Sequence, residues 1–170
     1  TARARVSPFG VLIALGIANH LTLTGMRVTV SLDALALGAR AATVGGLLAL
    51  FALLPMFLGI SAGRLADRIG VRKPMLAGSI GMAASAIIPT ALPGLPALYA
   101  AAALSGVSFM AFQVATQYAT GEMGPPAART RNYGLLAVGY STSSILGPLV
   151  AGFTIDHAGF RPAFGVLRHG

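Results

Sequence analysis

Four long stretches of the chain, residues 6–26, 41–63, 74–121 and 132–155, are dominated by apolar residues and contain no Asp, Glu, Lys or Arg. A helix needs about 20 apolar residues to cross the hydrocarbon of a bilayer. The 48-residue run from 74 to 121 has room for two crossings. Pro89, Pro93, Gly94 and Pro96 break it in the middle, where a helix turns back. The pattern predicts five complete spans, over about residues 8–37, 41–63, 74–92, 96–121 and 131–155, and the start of a sixth from 162. The expected fold class is all-α, a polytopic membrane helix bundle. Tyr99, Tyr118 and Tyr133 fall near span ends, where aromatic rings suit the membrane–water interface.

Composition agrees with this reading. The chain is 55% hydrophobic and 9% charged, against about 25% charged for a soluble domain. Too little polar surface remains to coat a water-soluble particle. The first run is too long for a signal-peptide core and lacks a small-residue cleavage site, so it reads as a retained helix. The chain starts at Thr1 without an initiator Met and stops at Gly170 as another segment opens, which reads as a fragment.

The net charge of +8 changes the picture only through its placement. The cations form short clusters between apolar runs, not a stripe on one element, which argues against nucleic acid and for membrane orientation. With the amino terminus cytoplasmic, that side carries Arg3, Arg5, Arg64, Arg68, Arg72, Lys73, Arg129 and Arg131, and the other carries Arg40 and Arg161. Basic residues resist translocation, so this imbalance sets the expected orientation. A bacterial inner membrane is the expected location. There is no cysteine, hence no disulfide framework and no thiolate metal site. No metal and no cofactor are expected.

The connection between spans two and three reads Gly63-Arg64-Leu65-Ala66-Asp67-Arg68-Ile69-Gly70-Val71-Arg72-Lys73. It resembles the signature that joins the second and third helices of the major facilitator superfamily, G-x-L-A-D-R-x-G-R-R/K. Val71 stands where a basic residue is common. The residue chemistry is legible on its own: Gly63 allows close helix approach and Gly70 a left-handed turn. Asp67, a lone acid among cations, suits a helix amino terminus. The resemblance implies that Asp67 latches two halves of a transporter in the outward-open state. Glu122, at the cytoplasmic end of span four, could pair with Arg68 or Arg129. A plain positive-inside anchor around a tight turn is the simpler alternative.

Span five carries Gly139, Ser143, Gly147 and Ala151 at four-residue spacing, with Pro148 and Gly152 alongside. This is similar to the family's antiporter motif, with Ser143 and Ala151 in place of glycines. An ordinary small-residue packing face explains it equally well. The family's fourth helix often carries an Arg about four residues before a Gly, implicated in proton transfer. Before Gly106 that position is Ala102, so the resemblance does not extend to this route. The resemblance implies that residues 1–170 form part of an amino-terminal six-helix half, with a carboxy-terminal half as missing partner.

Polar groups inside a membrane span are costly and usually face a cavity or a partner. His20, Thr24, Arg27 and Ser31 fall within about 60° on one face of span one at 100° per residue. His20 could titrate near neutral pH and Arg27 could hold an anionic group. Alternatives are a hydrogen-bonded buried imidazole, and an Arg27 that snorkels or pairs with Asp33. Gln113 and Gln117 share a face of span four, and Tyr140 and Ser144 a face of span five. The resemblance implies that helices one, two, four and five line a central cavity, with helix three peripheral. The pathway set is therefore His20, Thr24, Arg27, Gln113, Gln117, Tyr140 and Ser144.

The function expected is secondary active transport of a small solute by alternating access. Alternatives are proton-coupled efflux of drugs or metabolites, and a truncated, non-transporting membrane protein. An enzyme is not expected. Ala103-Leu104-Ser105-Gly106 brushes against an intramembrane serine-protease motif, but its first Gly is missing and no base is positioned beside it.

Overall fold

The computed structural model describes residues 7–160 and 162–164, the side chains of residues 65 and 66 aside. They form five long helices: α1 (Pro8–Ala36), α2 (Ala41–Ile69), α3 (Arg72–Ala91), α4 (Leu95–Glu122) and α5 (Arg129–Ala158). A single 3₁₀ turn, Pro126–Ala128, leads into α5. No strand occurs among the described residues. Each helix contains a window long and apolar enough to cross a membrane, and the chain is an integral membrane protein. Beyond Gly159, residues 160 and 162–164 are again helical, and the rest of the expected sixth span lies outside the described residues.

Local chemistry sets the helix ends. Ser7 caps α1, its Oγ accepting from the Gly10 N–H at 3.0 Å, with Pro8 in the first turn. Gly38, Gly70, Gly94, Gly124 and Gly159 all have positive φ and sit in the breaks between helices, where a side chain would strain the backbone. α2 does not stop where its apolar run does. It continues through Arg64 to Ile69, and the connection to α3 shrinks to Gly70 and Val71. The apolar run ends at Arg64, the first cation of this stretch. The helix runs on past it, because no glycine or proline intervenes before Gly70.

α4 is the hub, packed along α3 and α2 and touching α1, while α1 pairs chiefly with α5. Small residues set these contacts. A Cβ at Gly78 would lie 2.6 Å from the Ser108 carbonyl oxygen, so α3 and α4 touch backbone to backbone. A Cβ at Gly106 would lie 2.9 Å from the Phe51 carbonyl oxygen, which brings α4 equally close to α2. Between membrane helices such close approach supplies dispersion contact that apolar exclusion cannot. Hydrogen bonds add to it: Ser105 Oγ donates to Ser85 Oγ at 2.8 Å, and Asn19 Nδ2 to Ser79 Oγ at 3.2 Å. Met26, Val30, Leu47, Leu98 and Phe112 are fully buried among these helices. By contrast Met56 and Phe57 on α2 are 74% exposed and Phe153 on α5 is 66% exposed. Such faces need lipid or further protein to cover them.

Candidate functional site

Three rings from three helices meet near the middle of α1. His20 stacks on Tyr140 of α5, with centroids 4.8 Å apart and planes 18° from parallel. Phe109 of α4 tilts against the pair, 5.4 Å from His20 and 6.4 Å from Tyr140. Tyr140 reaches this position because Gly16 leaves room for it: a Cβ there would stand 3.3 Å from the tyrosine Cε1. Arg27 lies two turns further along α1, about 10 Å at 1.5 Å per residue. Its guanidinium carbon is 5.7 Å from the centroid of the Phe51 ring on α2, within cation–π range.

His20, Arg27, Phe51 and Phe109 border a cavity of about 290 Å³, which Met110 and Gln113 also line. That is near the lower end of small-molecule pockets, about 300–1,000 Å³. Its lining includes a cation, an imidazole, two aromatic rings and one amide. Among the described residues three buried side-chain polar atoms have no hydrogen-bond partner, and two of them are His20 Nδ1 and the Tyr140 hydroxyl. The third, Thr116 Oγ1, belongs to α4. Buried polar groups are nearly always paired, so an unpaired imidazole nitrogen on a cavity-lining residue, with an unpaired phenol behind it, is a functional signal.

Of the pathway set read from the sequence, the structure brings together His20, Arg27 and Gln113 around the cavity, with Tyr140 behind His20. Thr24 is elsewhere. Its hydroxyl lies 3.1 Å from the Ser143 carbonyl oxygen of α5 and 3.0 Å from the His20 carbonyl oxygen of its own helix. Ser144 is exposed and bonds the Tyr140 carbonyl oxygen one turn back. Gln117 is exposed, and its carbonyl oxygen accepts from the Tyr133 hydroxyl at 2.9 Å. No α3 residue lines the cavity. Phe51, Phe109 and Gly16 build the site, yet nothing in the sequence marks them out, since apolar and small residues are the background of every span.

The small-residue stripe of α5 lies along α1. A Cβ at Gly139 would stand 2.8 Å from Ile17 Cγ1, and one at Gly147 2.8 Å from the Leu21 carbonyl oxygen. Ser143 Oγ lies 2.8 Å from the Gly139 carbonyl oxygen and 3.2 Å from that of Ile17. Ala151 is buried and Pro148 half-buried, while Gly152 has no neighbour within 4 Å of where a Cβ would stand.

The signature between α2 and α3 stands clear of the bundle. Asp67, Arg68, Arg72 and Lys73 are exposed, as is Glu122 at the last residue of α4. Gly70 has φ +77° and turns the chain from α2 into α3. Gly63 has nothing within 4 Å of a Cβ position, so among the described residues no helix uses the close approach it permits.

Comparison with known proteins gives two findings. Residues 9–167 match the family model described as Major Facilitator Superfamily. The chain is also 31% identical over 108 residues to the tetracycline resistance protein, class C, of Escherichia coli. That alignment takes in 64% of this chain and spans 27% of the relative's length.

Proposed function

The chain belongs to the Major Facilitator Superfamily, and on that premise we propose that the protein it is part of moves a small solute across a membrane by alternating access. The observation that carries the reading is the cavity of about 290 Å³ bordered by His20, Arg27, Phe51, Phe109 and Gln113. In an otherwise apolar bundle, a cation and an imidazole at one cavity wall are what a solute pathway needs. An arginine inside a span costs at least about 2.5–3.5 kcal/mol on insertion scales. A polar guest or the water that precedes it offsets that cost.

In this reading the five helices belong to the amino-terminal half, and the pathway is completed by a second half across the cavity. The amino terminus is cytoplasmic, in a bacterial inner membrane, so that the signature Gly63–Lys73 lies at the cytoplasmic face. Its exposed acid Asp67 latches that second half, an arrangement that fits its lack of a hydrogen-bond partner among the described residues and the open space around Gly63. The α5 stripe holds α1 and α5 together as one wall that moves as a unit.

One observation favours a narrower second reading. The relative over 108 residues is a resistance protein against tetracycline, which points to proton-driven efflux of a drug or metabolite. Both readings are tested by reconstituting the full-length protein in proteoliposomes with an imposed proton gradient, using tetracycline and benzoate as probes. Flux of either probe above protein-free liposomes, slowed by Asp67→Asn at equal reconstitution, is the expected result. Equal fluxes with and without protein for both probes would contradict transport of this kind.

A further inference from the structure

Where the cavity's charge comes from narrows what it can hold. The sequence has four acids: Asp33, Asp67, Glu122 and Asp156. Each stands within four residues of the carboxyl end of its helix, in α1, α2, α4 and α5 respectively. None lines the cavity, which holds the guanidinium of Arg27 and the imidazole of His20. The wall that these helices supply is therefore cationic, with no described carboxylate to balance it. A cationic guest would add a second charge of the same sign in a low-dielectric setting, which costs far more than in water. An anionic guest would complete the pair, and a planar arginine fork matches a carboxylate.

The walls narrow the guest further. Phe51 under the guanidinium and Phe109 against His20 give aromatic faces along the cavity, with Tyr140 stacked behind the imidazole. Flat rings pack on such faces in offset or tilted geometry.

His20 adds a proton site. It stands near the middle of α1, and its Nδ1 and the neighbouring Tyr140 hydroxyl both lack partners, so the fold itself leaves their hydrogen-bonding capacity unused. The groups around it can be named helix by helix. α1 contributes Arg27, and α5 contributes the Tyr140 phenol. α4 contributes Phe109 and Gln113, and α2 contributes Phe51, none of which titrates. The cations of α3, Arg72 and Lys73, stand exposed in its first turn. A carboxylate brought in beside the imidazole favours its protonated form. By linkage, the proton then favours the carboxylate to the same degree.

We propose that the cavity binds a small aromatic carboxylate through Arg27 and the surrounding rings, and that each binding event loads one proton onto His20. This rests on the transport reading only for its consequence, that solute and proton cross together and in the same direction. The balance is simple. The carboxylate enters as an anion, one proton comes from the aqueous phase to the neutral imidazole, no covalent bond other than that N–H forms, and both leave together on release. Such coupling is opposite in sense to antiport of a cationic drug, so the cavity and the drug-efflux reading make different demands.

The test is calorimetric titration of benzoate into the full-length protein in detergent, at one neutral pH in phosphate and in Tris buffer. The two buffers differ in ionisation heat, so the difference in observed heat counts protons. Uptake approaching one proton per benzoate is expected, with Arg27→Lys weakening binding about tenfold or more. In His20→Gln, uptake should fall to near zero and benzoate should bind about tenfold more weakly, because the linked proton no longer favours the carboxylate. His20→Asn serves if the Gln variant does not yield monodisperse protein, and the two-buffer count on wild type needs no variant. Benzylamine, the same ring with the opposite charge, should bind at least tenfold more weakly. Benzoate binding without proton uptake, uptake that survives loss of His20, preference for benzylamine, or no binding of benzoate would each overturn the proposal. Binding with proton uptake but no flux in proteoliposomes would uphold this site and overturn the transport reading instead.

Discussion

Thr24 and Arg27 share one polar stripe on α1, yet they meet different neighbours. At 100° per residue they sit about 60° apart, on opposite edges of the stripe. The Thr24 edge meets α5 and the Arg27 edge meets α2 and the cavity. A helical wheel shows that residues share a face, but not which neighbouring helix each edge of that face will meet. That is why the cluster of His20, Arg27 and Gln113 was legible in the sequence while the place of Thr24 was not. Phe51 and Phe109 were illegible for another reason: an aromatic residue in an apolar span looks the same whether it faces lipid, core or cavity. The difference between the two edges gives a crossed expectation. Thr24→Val should lower the thermal midpoint of the full-length protein in detergent, by a loss of about 0.6 kcal/mol, typical of an interhelical hydrogen bond in a membrane. It should leave solute binding intact. Arg27→Ala should do the reverse, abolishing binding with little loss of midpoint. Thermal melts and binding isotherms on the two variants read both effects, and a Thr24→Val protein that melts normally but cannot bind would reverse the assignment.

At the scale of helices, the spacing of small residues in α5 was visible in the sequence, but not which of them carry contact. Gly139 and Gly147 lie against α1, whereas Gly152 faces open space. The stripe is straight in the sequence, but the close approaches to α1 are at Gly139, Ser143 and Gly147. Adding a methyl group at Gly147 forces it toward the Leu21 carbonyl oxygen, 2.8 Å away, and the Gly25 nitrogen, 3.0 Å away. Gly147→Ala should therefore destabilise the α1–α5 pair by about 1–3 kcal/mol, as overpacking does elsewhere. Gly152→Ala should be neutral or slightly stabilising. Denaturant titration in detergent compares them, and equal losses would mean that α1 and α5 do not meet as described. The end of α2 carries a similar lesson. Charge marked the edge of the apolar run at Arg64, but the helix persists to Ile69, because charged residues leave the hydrocarbon without leaving the helix.

For the molecule as a whole, the membrane class and the five-span bundle were readable from charge-free runs and proline breaks alone. What covers α2 and the outer face of α5 was not, since lipid and a second half demand the same apolar surface. Two expectations for the full-length protein follow from the transport proposal, through the cations and the acid of the signature. Arg68→Cys should resist an impermeant thiol reagent in intact cells while Pro93→Cys reacts, because the proposed orientation keeps the basic connections cytoplasmic. Reaction at position 68 and protection at 93 would invert the orientation. If Asp67 is the proposed latch, Asp67→Asn should slow transport several-fold at equal membrane insertion; an unchanged rate would remove the latch. The central claim, that the cavity beside His20 and Arg27 is the solute pathway, is tested most directly at Gln113. The chain has no cysteine, so in a full-length protein cleared of any others a single Gln113→Cys reports on this wall alone. Labelling by an impermeant thiol reagent should occur in both right-side-out and inside-out vesicles, because an alternating-access site opens to each side in turn. A cysteine there that reacts from neither side, or from one side only under every gradient imposed, would contradict the account.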